Sequence, residues 1–161
     1  MDFAIKNFGG DLDEKIFLLS ALLMIFIFSV KVNAAANCVW VYSDDYETIW
    51  IDNNSIGHNS NGFFAYFKIN YSDAGRNREI ESWRKRGLSV SEFYNLSYDI
   101  SFNYFKNLGK IKYLSNMGWA EYDKNGKILD SWSDNNFNWH RIIPDSMGEV
   151  KYDAVYARVW R

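Results

Sequence analysis

The run Gly62–Tyr71 (GFFAYFKINY) sets Phe63, Ala65, Phe67, Ile69 and Tyr71 on one side of an extended chain and Phe64, Tyr66, Lys68 and Asn70 on the other. Side chains of a β-strand alternate between two faces, so this period of two requires a strand with one face buried and the other partly wet. A helix made of the same residues would scatter that apolar set around its circumference. The chain must therefore build a sheet with a covered face, and the rest of the sequence has to supply its neighbours and its cover.

Neighbours are plentiful. Val39–Ser43 (VWVYS) ends in the Asp44–Asp45 turn. Tyr46–Asp52 (YETIWID) alternates Thr48, Trp50 and Asp52 against Glu47, Ile49 and Ile51, and stops at Asn53–Asn54. Ser55–Gly62 is turn chemistry throughout. Tyr98–Phe105 (YDISFNYF) sets Tyr98, Ile100, Phe102 and Tyr104 against Asp99, Ser101 and Asn103. Ile111–Asp123 and Lys127–Trp132 flank Lys124-Asn125-Gly126, and Asn125-Gly126 predicts a hairpin because both positions accept φ > 0. Between these runs, Ser72–Asn77 reads as a loop. Arg78–Arg86 offers a short helix with Ile80 and Trp83 on one side, so residues 72–95 read best as a polar excursion between two strands.

The cover comes from the C-terminus. After a loop over Asp134–Ile143, Pro144 pre-sets a helical φ, and Ser146 with Glu149 has the spacing of a capping box, Gly148 lying between them. Val150, Ala154, Val155 and Val159 then recur at helical spacing, supported by Tyr152, Tyr156 and Trp160, with Lys151, Asp153 and Arg158 on the other face. The two patterns together give an α+β fold: an antiparallel sheet of about six strands packed against one C-terminal helix.

At the N-terminus, Ile16–Val30 (IFLLSALLMIFIFSV) is an uncharged apolar run between Lys15 and Lys31. It is short of the roughly 20 residues a membrane-spanning helix needs and matches the core of a secretory signal. Small-x-small cleavage sites follow, after Ala34 or after Ala36, and an uncleaved anchor is the alternative. The acidic Asp2, Asp11, Asp13 and Glu14 are unusual ahead of such a core. Residues 1–34 are thus expected to be a signal peptide and 35–161 a single exported domain, bound for the periplasm, the outer surface or the medium. Residues 35–161 keep 15 basic and 16 acidic side chains, a balance that points to neither nucleic acid nor an anionic membrane. Cys38 is the single cysteine, so there is no intrachain disulfide and no Cys-cluster zinc site; Asn37 before it argues against lipidation.

Tyr122-Asp-Lys-Asn-Gly-Lys-Ile-Leu129, then Trp139-His-Arg-Ile-Ile-Pro-Asp-Ser-Met-Gly-Glu149 and an apolar helix, resembles the surface-adhesin protein E-like family of small exported bacterial proteins. Trp50-Ile-Asp52 followed by Ser55-Ile56 is similar to that family's N-terminal strand and turn. The resemblance implies an antiparallel sheet on a C-terminal helix, an envelope or surface location and no known enzymatic activity. Many members join helix to sheet with two cysteines. Near those places this chain has residues such as Phe102 and Tyr156, so aromatic packing is expected to hold the helix. Burying one such ring is worth about 1.5–3 kcal/mol, comparable with about 2–4 kcal/mol for a disulfide.

No catalytic constellation stands out. His58 lies in a Gly/Asn/Ser loop, and His140 has no spaced ligand partner, so neither a nucleophile–histidine–carboxylate arrangement nor a metal site is expected, and no cofactor. Aromatics make up 19% of the chain, and most must fill its interior. Trp132, Phe137 and Trp139 flank the polar loop Ser133–Asn138, however, and with His140 and Arg141 they form the candidate binding surface. Asn125, Gly126, Pro144, Ser146, Gly148 and Glu149 carry structural motifs. The expected function is that of an exported, non-enzymatic envelope or surface protein, adhesive or protein-binding. The alternatives are a periplasmic structural or accessory protein and, less well supported, a small secreted hydrolase.

Overall fold

The computed structural model describes residues 37–160. The expected signal segment and its cleavage sites lie outside the described residues. Strands β1 (Cys38–Ser43), β2 (Glu47–Asp52), β3 (Gly57–Asn59) and β4 (Gly62–Tyr71) are followed by helix α1 (Asp73–Lys85). Strands β5 (Leu96–Leu108), β6 (Ile111–Asp123), β7 (Ile128–Ser133) and β8 (His140–Arg141) then lead to helix α2 (Met147–Val159). All pairings are antiparallel and the main path runs β1-β2-β4-β5-β6-β7; short β3 adds to β4 and short β8 to β6. The fold is α+β, with the C-terminal helix on the sheet as expected.

The inward set of β4 is the centre of the core. Phe63, Ala65, Phe67 and Ile69 join Ile49 and Ile51 of β2, Phe105 of β5, Ile142, and Tyr152 and Val155 of α2 in one buried cluster. Tyr152 meets Phe63 edge-on at 5.2 Å and donates to Asn107 Oδ1 at 2.5 Å. Tyr156 is 44% exposed, so Tyr152 takes the anchoring role expected of it. Phe102 cannot contribute to that anchor: it stacks on Tyr66 at 4.5 Å, on the face turned away from α2.

Several local motifs differ from expectation. Residues 72–77 are not a loop, because Ser72 caps α1 by accepting from Gly75 N at 3.0 Å. Gly75 is required there: a Cβ would stand 2.0 Å from the Tyr46 carbonyl oxygen. Further along α1, Ile80 and Trp83 bury against Phe93 and touch Trp119, so this helix covers the same sheet face as α2. The turn at 124–126 does make a hairpin, but of Asn125 and Gly126 only Gly126 (φ 82°) has positive φ. Pro144 lies in the turn ahead of α2, not inside it. Ser146 Oγ accepts from Glu149 N at 3.4 Å, while Glu149 Oε2 reaches back to Asp145 N at 2.9 Å, one residue beyond the usual box partner. Lys112 fastens the same turn to β6 through Glu149 at 2.8 Å and Asp153 at 2.9 Å.

Candidate functional site

Both helices lie on one face of the sheet, so the other face is where outward side chains meet solvent. Alternation along β4 and β5 places Phe64 and Tyr66 beside Tyr104 and Phe102 there. The rings form a continuous strip: Tyr66 on Phe102 at 4.5 Å, Phe64 on Tyr104 at 4.9 Å, Tyr104 edge-on to Phe137 at 5.0 Å, and Phe137 stacked on Trp139 at 5.2 Å. The polar loop before β8 is pinned to this face by Asn138 N, which donates to Ser115 Oγ at 3.0 Å. Cations border the strip, with Lys68 4.1 Å from the Tyr98 ring centroid and Lys106 4.0 Å from that of Trp139. Arg141 pairs with Tyr113 in β8 and is exposed, as is His140. The strip ends in a groove of about 600 Å³ lined by Lys106, Trp139, Trp160 and His58, the last stacked on Trp160 at 5.7 Å.

The residues singled out from the sequence therefore divide. Phe137, Trp139 and Arg141 share the outer face. Trp132 and His140 do not join them: their partners in register are Trp119 and Leu114, which places both on the helix side of the sheet. Two residues apart in a loop means proximity; two elements apart in a sheet means whatever the pleat dictates. Phe64, Tyr66, Phe102 and Tyr104 were legible as alternating aromatics, but nothing in the pattern of β5 says which side faces out.

The helix side of the sheet carries a second feature that the sequence did not disclose. The inward residues of β5 ahead of Phe105 are Asp99, Ser101 and Asn103, and Glu121 of β6 lies directly opposite Asp99. Tyr71 Oη donates to Asp99 Oδ2 at 3.0 Å. Asp99 Oδ1, Ser101 Oγ, Asn103 Oδ1 and Glu121 Oε2 are closed off from solvent and have no hydrogen-bond partner among the described residues. Desolvation pushes Asp99 up to about 6, against the opposing pull of the Lys151 charge and the Tyr71 hydrogen bond. Desolvation, helped by the Asp99 charge, pushes Glu121 up to about 8. Lys151 was expected on the solvent side of α2. It instead sits 5.2 Å over the Phe67 ring, where burial lowers its affinity for a proton. A β-bulge at Met117 interrupts the β5–β6 register beside this polar row.

Among the described residues no three His, Cys, Asp or Glu side chains converge as metal ligands would. Comparisons with protein-family models, with curated proteins and with solved structures return no match.

Proposed function

We propose that the chain is an exported, non-enzymatic contact module that holds a protein of the cell surface or envelope against the outer face of its sheet. One observation carries this reading: the aromatic strip from Tyr66 to Trp139 runs across the sheet with neither helix over it. Trp, Tyr and Arg are enriched among the few residues that carry most of the energy at protein contacts, and rings already stacked on a sheet lose little freedom on binding. Lys68, Lys106 and Arg141 border the strip, so a partner with acidic side chains around an apolar centre complements it. The protein E-like pattern of the C-terminal segment points the same way.

The test is site-specific photo-crosslinking in cells expressing the full chain. A photoreactive phenylalanine in place of Tyr66 is expected to give a discrete protein adduct in the envelope fraction. The same group in place of Asp153, on the exposed side of α2, is expected to give none. Equal labelling from both positions, or recovery of the chain in the cytosol alone, overturns the reading.

A further inference from the structure

One row of acids crosses the inward face of three neighbouring strands. Asp99 of β5 stands in register with Glu121 of β6, and Glu121 with Asp130 of β7. Side chains directly opposed on one face of a sheet have Cβ atoms about 4.5–5.5 Å apart, and like charges so placed repel. None of the three makes an ion pair among the described residues. Arg78 is taken up by Glu47 of β2 at 3.0 Å and by Glu79 of α1 at 3.5 Å, and Arg86 lies 5.2 Å over the Trp83 ring. Asp99 feels the Lys151 charge from α2, the Tyr71 hydroxyl from β4, and the like charges of Glu47 and Glu79. Glu121 feels Arg86 against Asp99, Asp130 and Glu79. Asp99 Oδ1 and Glu121 Oε2 are shut away from water without a partner. A carboxyl so placed keeps its proton unless it is wetted again, and burial holds Glu121 up to about 8.

The cover over Glu121 is the C-terminal half of α1. Ile80 and Trp83 pack there with Phe93 on Trp119 and Leu129, and Trp119 is the inward residue of β6 next to Glu121 while Leu129 adjoins Asp130. This cover is thin: its cluster holds three buried side chains, whereas α2 commits Tyr152 and Val155 to the main core. The start of α1 is fixed, because Ser72 N donates to the Tyr46 carbonyl at 2.9 Å and Gly75 lies against the same oxygen. Its end runs into Gly87 (φ 75°) and the turn before β5. Arg84 bonds the Tyr94 hydroxyl and Trp83 meets Phe93 at 3.8 Å, so the last turns of α1 are joined to the segment that follows them. Residues 80–95 thus form one flap, hinged near Gly75 and Leu96.

We propose that Glu121 and Asp99 are a proton-operated latch beneath this flap: it stays seated on β6 and β7 while Glu121 is protonated, and it lifts when Glu121 gives its proton to bulk water. Lifting wets both carboxylates and uncovers Trp119 and Leu129, while the main core and the outer aromatic strip stay as they are. The closed state holds a proton that the open state releases, so opening grows as pH rises. The latch depends neither on the outer strip nor on the function proposed for it.

Amide exchange measured by mass spectrometry on the chain as recovered from expressing cells tests the latch, each rate being divided by that of an unstructured amide at the same pH. Opening of residues 80–86 is expected to rise on the order of tenfold or more between pH 6 and pH 8. At both pH values those amides are expected to exchange at least tenfold faster than the amides of Phe67 and Ile69. Glu121→Gln is expected to hold the change over this range below threefold. Glu92→Gln removes an exposed carboxylate from the flap itself and is expected to keep the parent's dependence. Exchange of the flap in step with Phe67 would mean that the molecule opens as a whole, and overturns the proposal. So does a flap indifferent to pH in the parent, or a parental slope in Glu121→Gln.

Discussion

Under its two helices the sheet changes character within a single hydrogen-bonded strand pair. On the β4 side Ile69, Phe67 and Ala65 belong to one buried cluster with Tyr152 and Val155. On the β5 side their register partners Asp99, Ser101 and Asn103 share the pleat but line an open hollow of about 290 Å³. The β4–β5 register runs unbroken past both rows, so what separates the halves is side-chain chemistry together with the bulge at Met117 on the far side of β5. Stability is concentrated in the β2–β4 half, and unsatisfied polar capacity in the β5–β6 half. Helix α2 spans the division, with Tyr152 and Val155 over one part and Gly148 and Lys151 over the other.

The largest effects should come from the closed half. Phe67 is 1% exposed, and Phe67→Ala is expected to lose about 3–5 kcal/mol of unfolding free energy in urea melts. Tyr152→Ala should lose a similar amount, whereas Tyr156→Ala, half-exposed, should lose less than about 1 kcal/mol. Equal losses at 152 and 156 would mean that the helix is held along its whole aromatic edge and not by the one buried ring.

In the polar half the expected change has the opposite sign and depends on pH. Glu121 rises from 4.5 to about 8 on folding, so between those values the native state keeps a proton that the unfolded chain has released. Its contribution is intact below pH 4.5 and is lost as pH climbs through 8. Asp99 acts in the same sense between 3.8 and about 6. The parent should therefore melt higher at pH 5 than at pH 8. Glu121→Gln, which has no charge to lose, should gain on the order of 2–3 kcal/mol at pH 8 and little at pH 5. A slope as steep in the variant as in the parent would place the titration elsewhere.

This division also separates what the sequence disclosed from what it did not. Gly62–Tyr71 declared its buried face because one of its two alternating sets is apolar and the other mixed. Tyr98–Phe105 could not, since hydrophobicity alone would turn its aromatics inward. Those aromatics face out, and only pairing with β4 decides the matter: once Phe63 and Phe67 point to the helices, Phe105 and Ser101 must follow. The motif at Ser146–Glu149 was readable because a helix cap is local, apart from the one-residue shift of its return bond to Asp145. Helix α1 was obscured because Gly75 and Asn77 weaken its propensity. What compensates is a non-local contact, the tight approach of Gly75 to the Tyr46 carbonyl. Trp132 was grouped with Phe137 and Trp139 by nearness in the chain, and the pleat of β7 separates them. The polar row was invisible for a related reason: Asp99, Ser101, Asn103 and Glu121 are surface-type residues, and four of their atoms go unpartnered only through the three-dimensional packing.

The smallest expected effect falls on the residue that spans the two halves. Lys151 lies over Phe67 of the closed half while its charge acts on Asp99 of the open one. Lys151→Met keeps the unbranched stem on the ring and removes the charge, so the packing of the closed half should survive with a change within about 0.5 kcal/mol. The open half should register the loss. Lys151 lowers the Asp99 midpoint, so without it that midpoint should rise above about 6 in a carboxyl NMR titration. Glu121 is governed by burial and by Asp99, Asp130, Glu79 and Arg86, so it should move less. An unmoved Asp99 would show that Lys151 belongs to the closed half alone, as one more side chain packed on Phe67.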